Sequence, residues 1–407
     1  MRVLLIVPPE REDFYGYLSK DGESDYFLLW YEKRDLQHPD PLPFIKYEFY
    51  WEDYATPAFL LKAIKPDKII FFEIIDQRQI ALLVTAHAAK LTTIYLEHGA
   101  AADKDTALER SEANLNFYKI KVRYILKRLL FKSLSVLKTK FFYFGAFTSL
   151  HSLDSAWKYI CLPFAMQWNK PNKALRKLAF AERVPRYAIV FNENNFAEYS
   201  LYTGAPPESA YYTGVPIFDQ YNLVNPNTTG DGIVYIEHPY LESRLLNWGP
   251  EHHRKIAEQL FRFATQTRTK VLVKLHPRSD FRRWQTYALQ SEYFEIVQKG
   301  DFIKDYLTAN LILGYSSSLI TGLICARKNI VLLGWHPSPR IFGTDFSKTG
   351  LCHTSMNHEE LFTNTDRWTS TNLAAQHNDL YQAFLKKYNY PFDGHATDRV
   401  IHLIQTL

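Results

Sequence analysis

The chain has 407 residues, 46% of them apolar, 22% charged and 15% aromatic, with a formal net charge of +5. That balance excludes a disordered chain, and 16 Gly and 20 Pro exclude a collagenous one. Three widely spaced cysteines, Cys161, Cys325 and Cys352, exclude a disulfide scaffold and fit a reducing compartment.

The start, Met1-Arg-Val-Leu-Leu-Ile-Val, is too short for a signal peptide and reads as a first strand, with Val3–Val7 as its apolar run. Tyr26–Trp30 and Tyr47–Trp51 are aromatic strand candidates, and Thr56–Ile64 a helix with Pro57 in its first turn. Lys68–Phe72 predicts a strand, Gln77–Lys90 a helix, and Thr92–Leu96 a strand ending at Glu97-His98-Gly99. The stretch 114–152 carries eight Lys or Arg and no acid, with apolar residues in the gaps, and reads as one or two basic amphipathic helices. A strand over Tyr187–Phe191 resumes the alternation, and Asn222–Asp231 is a polar linker.

The second half repeats the pattern. Strands are expected at Ile233–Ile236, Val271–Leu275, Phe294–Val297, Leu311–Leu313 and Ile330–Leu333. Helices are expected at Pro250–Thr265, Ser316–Ala326, Leu373–Tyr388 and Ala396–Leu407. Strands alternating with helices argue for parallel sheets covered on both faces. The expected class is therefore α/β, with two Rossmann-like domains facing across a cleft: 1–222, containing the basic insert, and 231–390. A C-terminal segment, 391–407, can pack back on the first domain. No run of 18 uncharged apolar residues predicts a membrane span, so the expected location is cytoplasmic, with peripheral attachment to the inner membrane face open to the basic segment.

Chemistry concentrates where these strands end. Lys274, His276 and Arg278 close one strand, and side-chain alternation puts them on one face, a costly arrangement without an anion. Tyr315, Ser316, Ser317 and Ser318 join a strand to a helix, where a serine cap and free N–H groups suit a phosphate. Serine caps are also common in purely structural turns. His98 or Glu97 can act as a general base towards a hydroxyl. Asp103 and Asp105 have the spelling of a metal pair, but acids are expected in a first helical turn. Glu237-His238-Pro239 reads first as a turn. No zinc spacing, Walker sequence or Gly-x-Ser-x-Gly elbow is present.

Taken together, His276-Pro277, the serines beginning 40 residues later, His98-Gly99, and Gly214-Val215-Pro216-Ile217-Phe218-Asp219 resemble a known set. It is that of bacterial inverting glycosyltransferases of the GT-B fold: sialyl-, polysialyl- and Kdo-type transferases, and the CDP-glycerol glycerophosphotransferases of capsule and teichoic-acid synthesis. The resemblance implies that His276 contacts the donor phosphate and assists departure of the nucleotide. Lys274, Pro277, Arg278, Gly214, Pro216, Tyr315 and the three serines would complete the donor site. The acid or histidine of Glu97-His98-Gly99 would be the base, where sialyltransferases carry two acids before the glycine. It implies CMP- or CDP-linked donors, no metal and no other cofactor. Expected partners are a nucleotide sugar, a glycan or lipid-linked glycan acceptor and an anionic membrane surface through 114–152. No nucleic-acid recognition module accompanies the basic segment. The alternatives are an epimerase or hydrolase acting on UDP-sugars on the same scaffold, and a non-catalytic membrane-surface assembly protein.

Overall fold

An apolar run with no polar alternation has to be covered on both faces, and Val3–Ile6 meets that demand at the centre of a parallel sheet. The computed structural model describes residues 1–8, 11–30, 42–99, 133–168, 171–222, 232–243, 245–298, 308–337 and 344–407. Among them, 1–99, 133–217 and 396–407 form one unit and 218–395 a second.

The first unit is built on β1 (Arg2–Ile6), β2 (Asp25–Trp30), β3 (Ile45–Tyr50), β4 (Lys68–Phe71), β5 (Thr92–Leu96), β6 (Tyr187–Val190) and β7 (Ala210–Tyr212). All pair in parallel in the order β3-β2-β1-β4-β5-β6-β7. The order reverses between β1 and β4, so the strand ends there open a ready-made crevice. The helix Pro57–Ile64 starts where Thr56 accepts the Phe59 N–H at 3.2 Å, with Pro57 at the first position. The helix Gln77–Ala88 starts with a reciprocal capping box between Asp76 and Gln79. The helix Ala396–Thr406 lays Val400 and Ile404 into the core formed by Leu5, Tyr26 and Ile70. Lys68, itself buried, donates to the carbonyls of Ile404 and Gln405 at 2.6 and 3.0 Å and so closes the end of that helix.

The second unit contains β8 (Ile233–Ile236), β9 (Val271–Lys274), β10 (Phe294–Val297), β11 (Leu311–Gly314), β12 (Ile330–Leu333) and β13 (His353–Ser355). They too are parallel, in the order β10-β9-β8-β11-β12-β13, with the reversal between β8 and β11. The helix Pro250–Thr267 buries Ile256, Ala257, Leu260, Phe263 and Ala264, a stripe at helical spacing. In the short helix Leu319–Cys325, Gly322 lets the Phe218 ring approach so closely that a Cβ would sit 2.8 Å from it.

Several boundaries differ from the sequence-based expectation. The division between units falls between Ile217 and Phe218, ahead of the polar linker, because Phe218 buries its ring against Gly322. The tail divides as well: 391–395 belongs to the second unit and 396–407 to the first. β3 begins two residues before the expected Tyr47, and Trp51 leaves it to be buried in a 3-10 turn. The helix after the serines begins at Leu319 rather than Ser316. Of the basic segment, 114–132 lies outside the described residues, as does the Asp103–Asp105 pair; Ser133–Phe144 is a helix.

Candidate functional site

In the second unit, the switch in strand order brings the ends of β8, β9 and β11 together. β8 runs out into Glu237-His238-Pro239, β9 into Leu275-His276-Pro277, and β11 into Tyr315 and the serines. Glu237 is the hub. Its buried carboxylate accepts the His276 N–H at 3.2 Å and the Ser279 hydroxyl, fixing both ends of the 276–279 turn. Gln298 secures the same turn by donating to the carbonyls of His276 and Ser279 at 3.1 and 2.9 Å. Burial pushes the Glu237 carboxyl up to about 7, against the lowering effect of the Ser279 and His276 hydrogen bonds.

The turn fixes the tautomer of His276. Its Nδ1 accepts the Arg278 N–H at 3.1 Å, so a neutral imidazole carries its proton on Nε2. The ring of His238 is stacked between Tyr240, 4.4 Å away, and His276, 5.9 Å away. Burial, then the neighbouring His276, lowers the His238 pKa to about 4, so this ring is neutral at pH 7. Tyr240 shares a 2.8 Å hydrogen bond with Ser316. The Ser317 hydroxyl accepts the Leu319 N–H at 3.3 Å. Among the described residues, the N–H groups of Ser316, Ser317 and Ser318 make no backbone hydrogen bond. Lys274 lies at the end of β9, half-buried, its pKa pulled down by desolvation while the Glu237 charge pulls it up. Beside this cluster Tyr240, Tyr315, Ser316, His336 and Asp345 line a small cavity of about 60 Å³.

Arg278 does not share the face of Lys274. β9 ends at Lys274, the alternation stops with it, and Arg278 is exposed on the turn. Gly214 and Pro216 belong to the first unit. Gly214 has φ +77°, a conformation that favours glycine, as the chain leaves β7. Its N–H donates to Phe191 at 3.0 Å, and Arg399 donates to the Thr213 carbonyl at 2.8 Å. The geometry of this motif is thus that of a turn.

In the first unit, β5 delivers Glu97 and His98. Glu97 is buried and accepts the His98 N–H at 2.9 Å and the Tyr95 hydroxyl at 3.2 Å. Burial raises its pKa to about 7, against the lowering effect of the His98 N–H. The His98 imidazole is more accessible. Its Nδ1 lies 3.7 Å from Glu97 and its Nε2 3.8 Å from Glu73, while the Phe14 ring packs on it at 4.3 Å. Burial, then the charge of Arg11, lowers the imidazole pKa to about 4. Phe14 and Glu73, with Trp30, Phe72 and Gln79, line a cavity of about 300 Å³ at the ends of β1 and β4. Sequence reading missed Glu73 and Phe14, which follow no motif, and ranked Glu237 as a turn. The signal available for both acids was their place just after a buried strand.

These strand ends stand in a stretch matched by one family model, that of alpha-2,8-polysialyltransferases (POLYST), over residues 47–302. The chain belongs to the POLYST family. The matched span includes Glu97, His98, Lys274 and His276 and stops short of the serines. Among curated proteins no match is found. Solved structures share the fold at low identity. The wall teichoic acid polymerase TagF, solved after a soak with CDPG, superposes with a TM-score of 0.58 at 12% identity, covering 100% of this chain and 88% of its own. The UDP-GlcNAc 2-epimerase of Neisseria meningitidis, bound to UDP-GlcNAc, gives 0.50 at 12% identity and covers all of both chains. The POLYST chain thus has two Rossmann-like, parallel-sheet α/β units with GT-B neighbours, and its family makes it a glycosyltransferase. Among the described residues, no helix is long and apolar enough to cross a membrane.

Proposed function

We propose that this POLYST member is an inverting glycosyltransferase that moves a sugar from a CMP- or CDP-linked donor to a hydroxyl of a glycan acceptor in bacterial surface-polysaccharide or lipooligosaccharide synthesis. One observation carries the reading: at the strand-order switch of the second unit, buried Glu237 holds the His276 backbone and the Arg278 N–H leaves the imidazole proton on Nε2, near Lys274 and the N–H groups of Ser316–Ser318, which make no backbone hydrogen bond among the described residues. That is a field built for a departing phosphate. Family membership and the CDPG-soaked polymerase of the same fold support a nucleotide-linked donor.

In the proposed reaction the acceptor oxygen forms a bond to the anomeric carbon as the anomeric carbon–phosphate oxygen bond breaks. The electron pair leaves with the nucleotide. Lys274 and the serine N–H groups offset the charge on its phosphate, and His276 donates a hydrogen bond from Nε2. The acceptor proton passes to the Glu97–His98 pair, in which burial holds the carboxyl at about 7, matched to a base working at neutral pH. The cation needed at the phosphate is supplied by protein groups, so the reading assigns no metal; turnover that disappears in EDTA and returns with Mg²⁺ would contradict it.

The test is thermal unfolding with CMP, CDP, UDP and GDP. A cytidine nucleotide at 100 times its Kd stabilises by about 2.7 kcal/mol, and the His276→Ala variant is expected to lose most of that shift. A shift with UDP alone, together with turnover of a nucleotide sugar in the absence of acceptor, would replace this reading by the epimerase or hydrolase one.

A further inference from the structure

The helix Ser133–Phe144 has two apolar faces. Phe142 and Tyr143 are buried in the core of the first unit. On the other side Leu137, Phe141 and Phe144, spaced by four and three residues, are 54%, 72% and 42% exposed. The helix Leu153–Trp168 repeats the arrangement: Tyr159 and Leu162 are buried, while Leu153, Trp157 and Phe164 are 92%, 66% and 57% exposed. Phe147, between the two helices, is 40% exposed. Scattered exposed apolar side chains are ordinary, but this concentration within 28 residues of one unit is not.

The two helices are locked to each other. Tyr143 and Tyr159 stack with ring centroids 4.0 Å apart and planes 1° from parallel. Each hydroxyl donates to the other's backbone carbonyl, at 2.7 and 2.5 Å. The exposed side chains therefore ride on a rigid support and cannot bury themselves by a local rearrangement that keeps this contact.

Charge selects the occupant. From 114 to 152 the sequence holds eight Lys or Arg and no Asp or Glu, and Lys138 lies on the exposed face beside Leu137 and Phe141. Lys140 is turned to Gln77, and Lys158 is paired with Asp154 at 2.7 Å. Exposed Phe, Trp and Leu next to a run rich in Lys and Arg, with the one acid of the two helices, Asp154, neutralised by Lys158, match the boundary between anionic headgroups and acyl chains, where rings enter the apolar layer and ammonium groups meet phosphate. We infer that this pair of helices is a membrane-surface anchor, which lays the first unit on an anionic lipid bilayer. The inference is independent of the proposed reaction.

The experiment is co-sedimentation of the full chain with vesicles of phosphatidylethanolamine containing 30% phosphatidylglycerol, and with pure phosphatidylcholine vesicles. Binding to the anionic vesicles is expected to exceed binding to phosphatidylcholine at least fivefold and to fall as salt is raised. The double variant Phe141→Ser, Trp157→Ser is expected to lose at least fivefold in the bound fraction with an unchanged melting temperature, since both side chains are solvent-facing. Equal binding by variant and parent, or equal binding to the two vesicle types, overturns the inference. So does a dimer seen by light scattering that the double variant dissolves, because the occupant would then be a second copy of the chain.

Discussion

The same dipeptide, Glu-His, follows a buried parallel strand in each unit: Glu97-His98 after β5 and Glu237-His238 after β8. In both, burial raises the carboxyl to about 7 and lowers the imidazole to about 4. The electrostatics are nearly equal; the partners are not. Glu97 spends its oxygens locally, on the His98 N–H and the Tyr95 hydroxyl, and His98 lies half-buried between two carboxylates. Glu237 reaches across to the loop of the neighbouring strand, and His238 stacks on Tyr240 and His276. A shifted pKa therefore marks depth, while the hydrogen-bond partners mark the job. In the proposed reaction the first pair meets the acceptor and the second holds the residue that meets the donor.

The sharpest way to break this comparison is to remove the group each pair serves. His276→Ala is expected to cost about a hundredfold in turnover, the scale of one lost electrostatic stabiliser, whereas His238→Ala should act through stability and donor affinity. Steady-state kinetics at saturating donor distinguishes them; equal losses in kcat would erase the assigned difference.

Next in size are the two glutamates. Glu237→Ala orphans the His276 N–H and the Ser279 hydroxyl, and a buried unsatisfied partner costs about 1–3 kcal/mol. A lowered melting temperature with weakened nucleotide binding is expected. The charge of each glutamate can be isolated with Gln variants. The folded pKa of both acids lies above the unfolded value, so each contributes stability at low pH that is lost as pH rises towards about 7. Urea midpoints at pH 5 and pH 8 should therefore show the parent losing ground to Glu97→Gln and Glu237→Gln at the higher pH. A parent that gains on the Gln variants at pH 8 would mean that the carboxylates are stabilised in the fold. The smallest expected effect is that of Tyr240→Phe, which deletes the hydrogen bond to Ser316 and should weaken nucleotide binding by about 1 kcal/mol. Isothermal titration reads it directly.

Much of this was legible in the chain because parallel strands buried on both faces announce themselves as apolar runs, and the residue after such a run sits where ligands bind. Glu97, His98, His276 and the serines were placed after strand ends on that ground, and there they lie. The same logic failed at Arg278, since alternation holds only while the strand lasts and β9 stops at Lys274. Glu237 was legible as a position but not as a hub, because its partners lie 39 and 42 residues away on another strand's loop. Glu73 and Phe14 meet His98 only through the order of the sheet, and strand order is not written in any local pattern.

The clasp between Lys68 and the carbonyls of Ile404 and Gln405 joins residues more than 330 positions apart. Synthesis on the ribosome delivers the strands of the first sheet long before the helix that covers them. Until that helix arrives, the apolar surface around Leu5, Ile70 and Ile189 waits without its lid while the whole second half is made. The first half to be translated is thus the last to be finished, and a nascent chain paused between the two is a natural client for chaperones.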